Sequence, residues 1–188
     1  MQPTLDQPPH EGEAAKPGPA AIRVLFLCTG NSARSILAEA LLNHAGKGRF
    51  IAASAGSQPL GRVNPHALAV LEEMGLSTQG LRSKSWAEYE RHDAPQIDLV
   101  ITLCHSAARE ACPVWPGHPI KGHWGLPDPA SAQGYEEELH AAFRQTRDGI
   151  FAHIEKLLAL PIGEMEPQAI SDALNRIGQG QSIKGQNV

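Results

Sequence analysis

Cys28 and Arg34 stand at the two ends of a short polar loop, Cys28-Thr29-Gly30-Asn31-Ser32-Ala33-Arg34-Ser35, and their chemistry suits attack on an anion. The cysteine closes an apolar run, Val24 to Leu27, and the arginine opens a stretch with helical spacing. A strand, loop and helix in this order aim the N–H groups of the loop and of the first helical turn at one centre. The helix dipole favours negative charge there. The same field favours the thiolate of Cys28, which is the nucleophilic form. Arg34 adds a planar, permanently charged fork that fits a tetrahedral oxyanion. Thr29, Gly30, Asn31, Ser32, Ala33, Arg34 and Ser35 are therefore the candidate oxyanion-binding loop, with Cys28 at its floor.

Two more thiols, Cys104 and Cys112, follow the apolar run Ile97 to Leu103. An odd total of 3 cysteines, with no secretory signal and no long apolar segment, points to a reducing compartment and a cytoplasmic location. The formal net charge of -4 and the lack of a basic run give no support for nucleic-acid binding, and nothing suggests a membrane. With 188 residues the chain can bury the core of one domain and carry tails besides.

The elements that must position these residues can be read from periodicity. Ile22 to Leu27, Phe50 to Ala55, Ile97 to Leu103 and Ile120 to Trp124 are short apolar runs of the kind that form buried parallel strands. Ile36, Leu37, Ala40, Leu41 and Ala45 recur at helical spacing, and Gly46 stops that helix. Pro65 opens a second helix, with Asn64 as its N-cap and Gly75 at its end. A long helix is predicted over about 134–160 and a short one over 167–177. Alternating strands and helices make an α/β sandwich with a parallel sheet, in which ligands bind beyond the carboxyl ends of the strands. Both Cys28 and Cys104 lie at such ends. Residues 1–20, with five prolines and little apolar bulk, read as a disordered leader. Residues 21–162 read as the catalytic domain, and 163–188 as a terminal helix and polar tail.

The loop from Cys28 to Ser35, set between strand and helix, resembles the phosphate loop of the low-molecular-weight protein tyrosine phosphatase superfamily. The resemblance implies a three-layer sandwich around a four-stranded parallel sheet. It also implies that Cys28 is the nucleophile, that Arg34 clamps the oxyanion, and that Asn31 and Ser35 hold the loop and the thiolate. Gly125-Leu126-Pro127-Asp128-Pro129 is similar to the superfamily's Asp-Pro loop, which makes Asp128 the general acid. Phosphatases of this fold carry aromatic residues after that loop, whereas Ala130 and Ser131 follow here and offer little for a phenyl ring to stack on.

The remaining thiols separate the chemistries. The segment from Cys104 to Pro113, together with His123-Trp124-Gly125, is similar to arsenate reductases of the same fold, thioredoxin-coupled type, with the likeness covering about residues 22–160. That resemblance implies attack of Cys28 on arsenate, then a Cys28–Cys104 disulfide as arsenite leaves, then a Cys104–Cys112 disulfide. It implies no tightly bound cofactor. The external thiol reductant would be thioredoxin, with glutaredoxin/glutathione or mycothiol as alternatives, and phosphate and sulfate would compete with arsenate. A helix spanning Cys104 to Cys112 would hold their Cα atoms about 12 Å apart, whereas a disulfide needs roughly 5.5–6 Å. The segment is thus expected to be loop, or to unwind during turnover. Some family members bind potassium near the loop; Lys84 falls near that place, with Glu39 and Ser54 as expected neighbours.

Two rival classes remain at this point. One is a phosphatase that uses Cys28 alone. The other is a metal-binding or sensing protein built on Cys104, Cys112, His118 and His123, whose irregular, proline-interrupted spacing argues against a structural zinc site. Metal ligation is therefore not expected. His44 and His66 are expected on exposed helix faces, and Trp86, Trp115 and Trp124 in packing roles.

Overall fold

The computed structural model describes residues 20–104 and 115–180. The leader before Ala20, the segment 105–114 with Cys112, and residues 181–188 lie outside it, and so do the expectations made for them.

Strands β1 (Ile22–Cys28), β2 (Phe50–Gly56), β3 (Leu99–Thr102) and β4 (Ile120–His123) form one sheet in the order β2-β1-β3-β4. All three pairings are parallel, with Cys28 opposite Gly56 and Thr102 opposite His123. The last two strands are shorter than the apolar runs that announced them. Their flanks still bond to the sheet: Leu103 N donates to Leu27 O at 2.8 Å and Trp124 N to Thr102 O at 2.8 Å. The chain leaves β1 for β2 on one side and returns to β3 on the other. That topological switch places the crevice above the carboxyl end of β1, where Cys28 ends the strand.

Strand periodicity divides the core. Val24 and Phe26 point into a large cluster, while Leu25 and Leu27 point into a smaller one on the opposite face. The large cluster lies beneath α1 (Arg34–Ala45), α2 (Pro65–Glu72), α3 (Glu136–Leu158) and α4 (Pro167–Gln179). Ile97, Val100 and Trp115 fill the smaller one, with Trp86 and Tyr89 of a short 3-10 turn packed on them. Burying each such Leu, Ile or Phe contributes about 1.5–3 kcal/mol against exposure. The three tryptophans do pack: Trp115 meets Trp86 edge-on at 6.3 Å, and the fully buried Trp124 lies 5.7 Å from Phe26.

Asn64 caps α2 as expected, its side chain accepting from His66 N at 2.9 Å. The last helix, α4, is fastened to β4. Trp124 Nε1 donates to Leu174 O at 3.0 Å, His123 N to Asn175 Oδ1 at 2.9 Å, and Ser171 Oγ to Lys121 O at 2.7 Å. The approach is close enough that a Cβ on Gly178 would come within 2.0 Å of His123 O. No helix among the described residues is long and apolar enough to cross a membrane.

Candidate active site

The loop between β1 and α1 owes its shape to a strap that follows β2. Gln58 N donates to Thr29 O at 2.9 Å, Leu60 N to Gly30 O at 3.0 Å, and Asn64 N to Ser32 O at 2.8 Å. Ser83 Oγ adds a second bond to Gly30 O at 3.2 Å. With its carbonyls drawn outward, the loop turns its amides inward, and among the described residues no backbone carbonyl accepts from the N–H groups of residues 30–34. Such a concave run of amides at a helix start favours an anion. Gly56 permits the approach of loop to β2, since a Cβ there would stand 2.4 Å from Thr29 O.

Asn31 locks the turn. It takes a left-handed conformation (φ 42°), tolerated by Asn better than by most residues, and its side chain is fully buried. Its Nδ2 donates to Ser35 Oγ at 2.8 Å and to Ser54 Oγ at 2.9 Å, and its Oδ1 accepts from Lys84 N at 2.7 Å. Because Ser35 Oγ already accepts from Asn31, its own proton is available to Cys28 Sγ, 2.9 Å away. Asn31 thus bonds Ser35, and Ser35 in turn bonds Cys28.

The second sulfur is beside the first. Cys28 and Cys104 pack as a buried pair set apart from the two larger clusters, and Thr29 Oγ1 lies 3.6 Å from Cys104 Sγ. Strand β3 brings Cys104 there, two residues past its end. Cys112 belongs to the undescribed segment.

Arg34 joins this floor to the Asp-Pro loop. Its Nη1 donates to Leu126 O at 3.0 Å and its Nη2 lies 3.1 Å from Asp128 Oδ2. The other Asp128 oxygen accepts from Ala130 N at 3.1 Å and caps the turn Pro129–Ser131. Cys28, Cys104, Arg34 and Asp128 all open on one cavity of about 510 Å³, to which Ser32 and Ala33 also contribute. Leu60, Leu126, Pro127 and Ala130 form its apolar wall. Sequence reasoning missed Gly56, the strap, and the carbonyl of Leu126. A glycine at a strand's end facing the loop was a signal for the first; a backbone acceptor carries no side-chain signature.

Behind the loop, Lys84 Nζ lies 3.3 Å from Glu39 Oε2, and Ser54 Oγ donates to the same oxygen at 2.5 Å, so the expected neighbours meet. Of the group considered for metal, Cys112 lies outside the described residues. His118 is exposed, His123 Nδ1 lies 2.8 Å from Thr102 Oγ1, and among the described residues no three His, Cys, Asp or Glu side chains are placed to hold an ion. His44 is exposed as expected, but the expectation for His66 needs correcting. That ring is largely covered, stacked on Phe143 at 5.3 Å, because α3 crosses the start of α2.

Comparison with known proteins agrees with this geometry. The family model described as low molecular weight phosphotyrosine protein phosphatase matches residues 23–169. An arsenate reductase of Bacillus licheniformis is 40% identical over 133 residues, covering 71% of this chain and 92% of the relative. One from Shouchella clausii is 38% identical over 139 residues, covering 71% and 92%. Among solved structures, an arsenate reductase from Archaeoglobus fulgidus superposes with a TM-score of 0.58 at 29% identity, covering 73% of this chain and 99% of that one. A low molecular weight protein tyrosine phosphatase from T. tengcongensis gives 0.58 at 28% identity, covering 73% and 98%. By the extent of the family match and the identity of its relatives, the chain belongs to the low molecular weight phosphotyrosine protein phosphatase family.

Proposed function

We propose that this chain is an arsenate reductase that passes electrons through three thiols. The observation carrying the reading is the burial of Cys104 against Cys28 at the floor of an oxyanion pocket. Hydrolysis of a phosphate ester needs one thiol, whereas reduction of arsenic by two electrons needs a second sulfur to close a disulfide. Relatives named arsenate reductase, at 38–40% identity, support it.

The loop amides and Arg34 hold the anion, and Ser35 Oγ lies in hydrogen-bond reach of Cys28 Sγ. Cys28 Sγ attacks arsenic, and one arsenate oxygen leaves as water with a proton from Asp128. Cys104 thiolate then attacks Cys28 Sγ. The sulfur–arsenic bond breaks, its electron pair stays on arsenic, and arsenite departs as the Cys28–Cys104 disulfide forms. Cys112 thiolate attacks Cys104 and frees Cys28. Two electrons from an external dithiol, for which we propose thioredoxin, reopen the Cys104–Cys112 disulfide. Such a cycle belongs in a reducing compartment, the cytoplasm. Phosphate and sulfate, having the same shape, compete for the loop.

Steady-state turnover of arsenate with thioredoxin, glutaredoxin/glutathione or mycothiol as donor tests this. Wild type turns over, while Cys104→Ser and Cys112→Ser do not. If Cys104→Ser matched wild type on arsenate, or hydrolysed an aryl phosphate far faster than wild type reduces arsenate, the relay would be wrong and hydrolysis would be the activity.

A further inference from the structure

Away from the pocket, α2 and α3 bring two imidazoles together, tilted 50° to one another. His66 Nδ1 and His140 Nδ1 are 3.4 Å apart. Each ring has a carboxylate at its far nitrogen: Glu73 Oε1 is 2.7 Å from His140 Nε2, and Glu136 Oε1 is 3.5 Å from His66 Nε2. The Glu73 carboxylate accepts from His140 Nε2, which leaves His140 Nδ1 as the acceptor facing His66. Glu73 is itself held in place by Arg144, whose Nε and Nη2 donate to its two oxygens at 3.0 and 2.7 Å. His66 Nδ1–H can then donate to His140 Nδ1, so that one proton lies between the rings, in a place that a divalent cation can take.

We propose that His66 and His140 form a two-histidine site for a zinc-type divalent cation. Two imidazole nitrogens at a zinc–nitrogen distance of about 2.0–2.1 Å and a tetrahedral angle are about 3.3 Å apart, close to the 3.4 Å present here. Carboxylates on the outer nitrogens are the usual partners of metal-bound histidines, since they fix the ring and raise its basicity. Phe143 holds the His66 ring in a stacked pose at 5.3 Å, so the ligand is ordered in advance. The side chains of His66 and His140 are 18% and 19% exposed, enough for water to supply the remaining two positions. With two protein ligands the site would bind less tightly than a structural zinc centre, and its effect would be to clip α2 to α3. The clip sits two residues beyond Asn64, the end of the strap that draws Ser32 O outward. The inference is independent of the proposed reaction.

The test is zinc titration of the full chain, in wild type and in a variant with Cys28, Cys104 and Cys112 all changed to serine so that no thiol competes. Histidine ring nitrogens are followed by NMR. One zinc per chain should bind, moving the Nδ1 resonances of His66 and His140 together, and His66→Gln or His140→Gln should weaken that binding at least tenfold. The proposal is overturned if zinc moves only other histidines, or if both variants bind as wild type does. It is equally overturned if the Nδ1 pair proves to share a proton that zinc does not displace. Because the ring resonances are read in chains with both histidines intact, failure of a glutamine variant to fold leaves the outcome decided.

Discussion

All of the hydrogen-bonding groups of the Asn31 side chain but one lone pair are committed inside the loop, to Ser35, Ser54 and the Lys84 amide. Asn31→Ala would leave these groups unsatisfied in a buried place and put a less tolerant residue at a positive φ. A loss of about 1–3 kcal/mol is expected, read by urea denaturation, together with at least a tenfold fall in kcat, because Ser35 would no longer be aimed at Cys28. Arg34→Lys keeps the charge but not the fork. One ammonium cannot hold Leu126 O and an oxyanion with the same geometry, so KM for arsenate should rise tenfold or more in initial-rate assays. At this scale the sequence was most legible where a side chain's chemistry and its spacing coincide, as for Cys28, Arg34 and Asp128. The Leu126 carbonyl was not legible, since any residue could supply it. His66 was misread because α2 alone does not reveal that α3 covers it.

Among the elements, β2 and its strap shape the loop as much as β1 and α1 do. Gly56→Ala would drive a methyl group against Thr29 O, which lies 2.4 Å from the ideal Cβ position. Arsenate turnover should fall more than tenfold while the circular dichroism spectrum is kept, because the strain falls on the loop and not on the sheet's core. Gly178→Ala acts on α4 instead. Its Cβ would meet His123 O at 2.0 Å, so the helix must lift from β4. That should cost about 1–3 kcal/mol in thermal or urea unfolding, with Cys28 chemistry little changed at a temperature where the fold persists. Strands and helices were readable from apolar runs and caps such as Asn64. The shortness of β3 and β4 was not, since Leu103 and Trp124 lie just past their ends while still bonding to the sheet. The close fit of α4 on β4 was hidden too, because Gly122 and Gly178 matter only once they face each other's elements.

Across the whole molecule, acid should act through His153. The ring is fully buried against Trp124 at 5.2 Å, and neither nitrogen has a hydrogen-bond partner among the described residues. Burial, with Lys156 nearby, pushes its pKa down from 6.5 to about 4. The unfolded chain takes up that proton near pH 6.5 while the folded one refuses it until about pH 4. Stability from this group is complete above the unfolded value and is lost as pH falls between the two, by on the order of 3 kcal/mol. Urea midpoints should drop over that window, and His153→Leu should flatten the drop. The three thiols bind this scale to the smallest one. In the proposed relay, reduction needs Cys28 and Cys104, held together by β1 and β3, and regeneration needs Cys112. A single turnover of Cys112→Ser with excess arsenate and no external reductant isolates the first half. About one arsenite per chain is expected, with a Cys28–Cys104 disulfide in the peptide map. Release of phosphate from an aryl ester with no arsenite formed, or arsenite formed with both thiols still reduced, would contradict it.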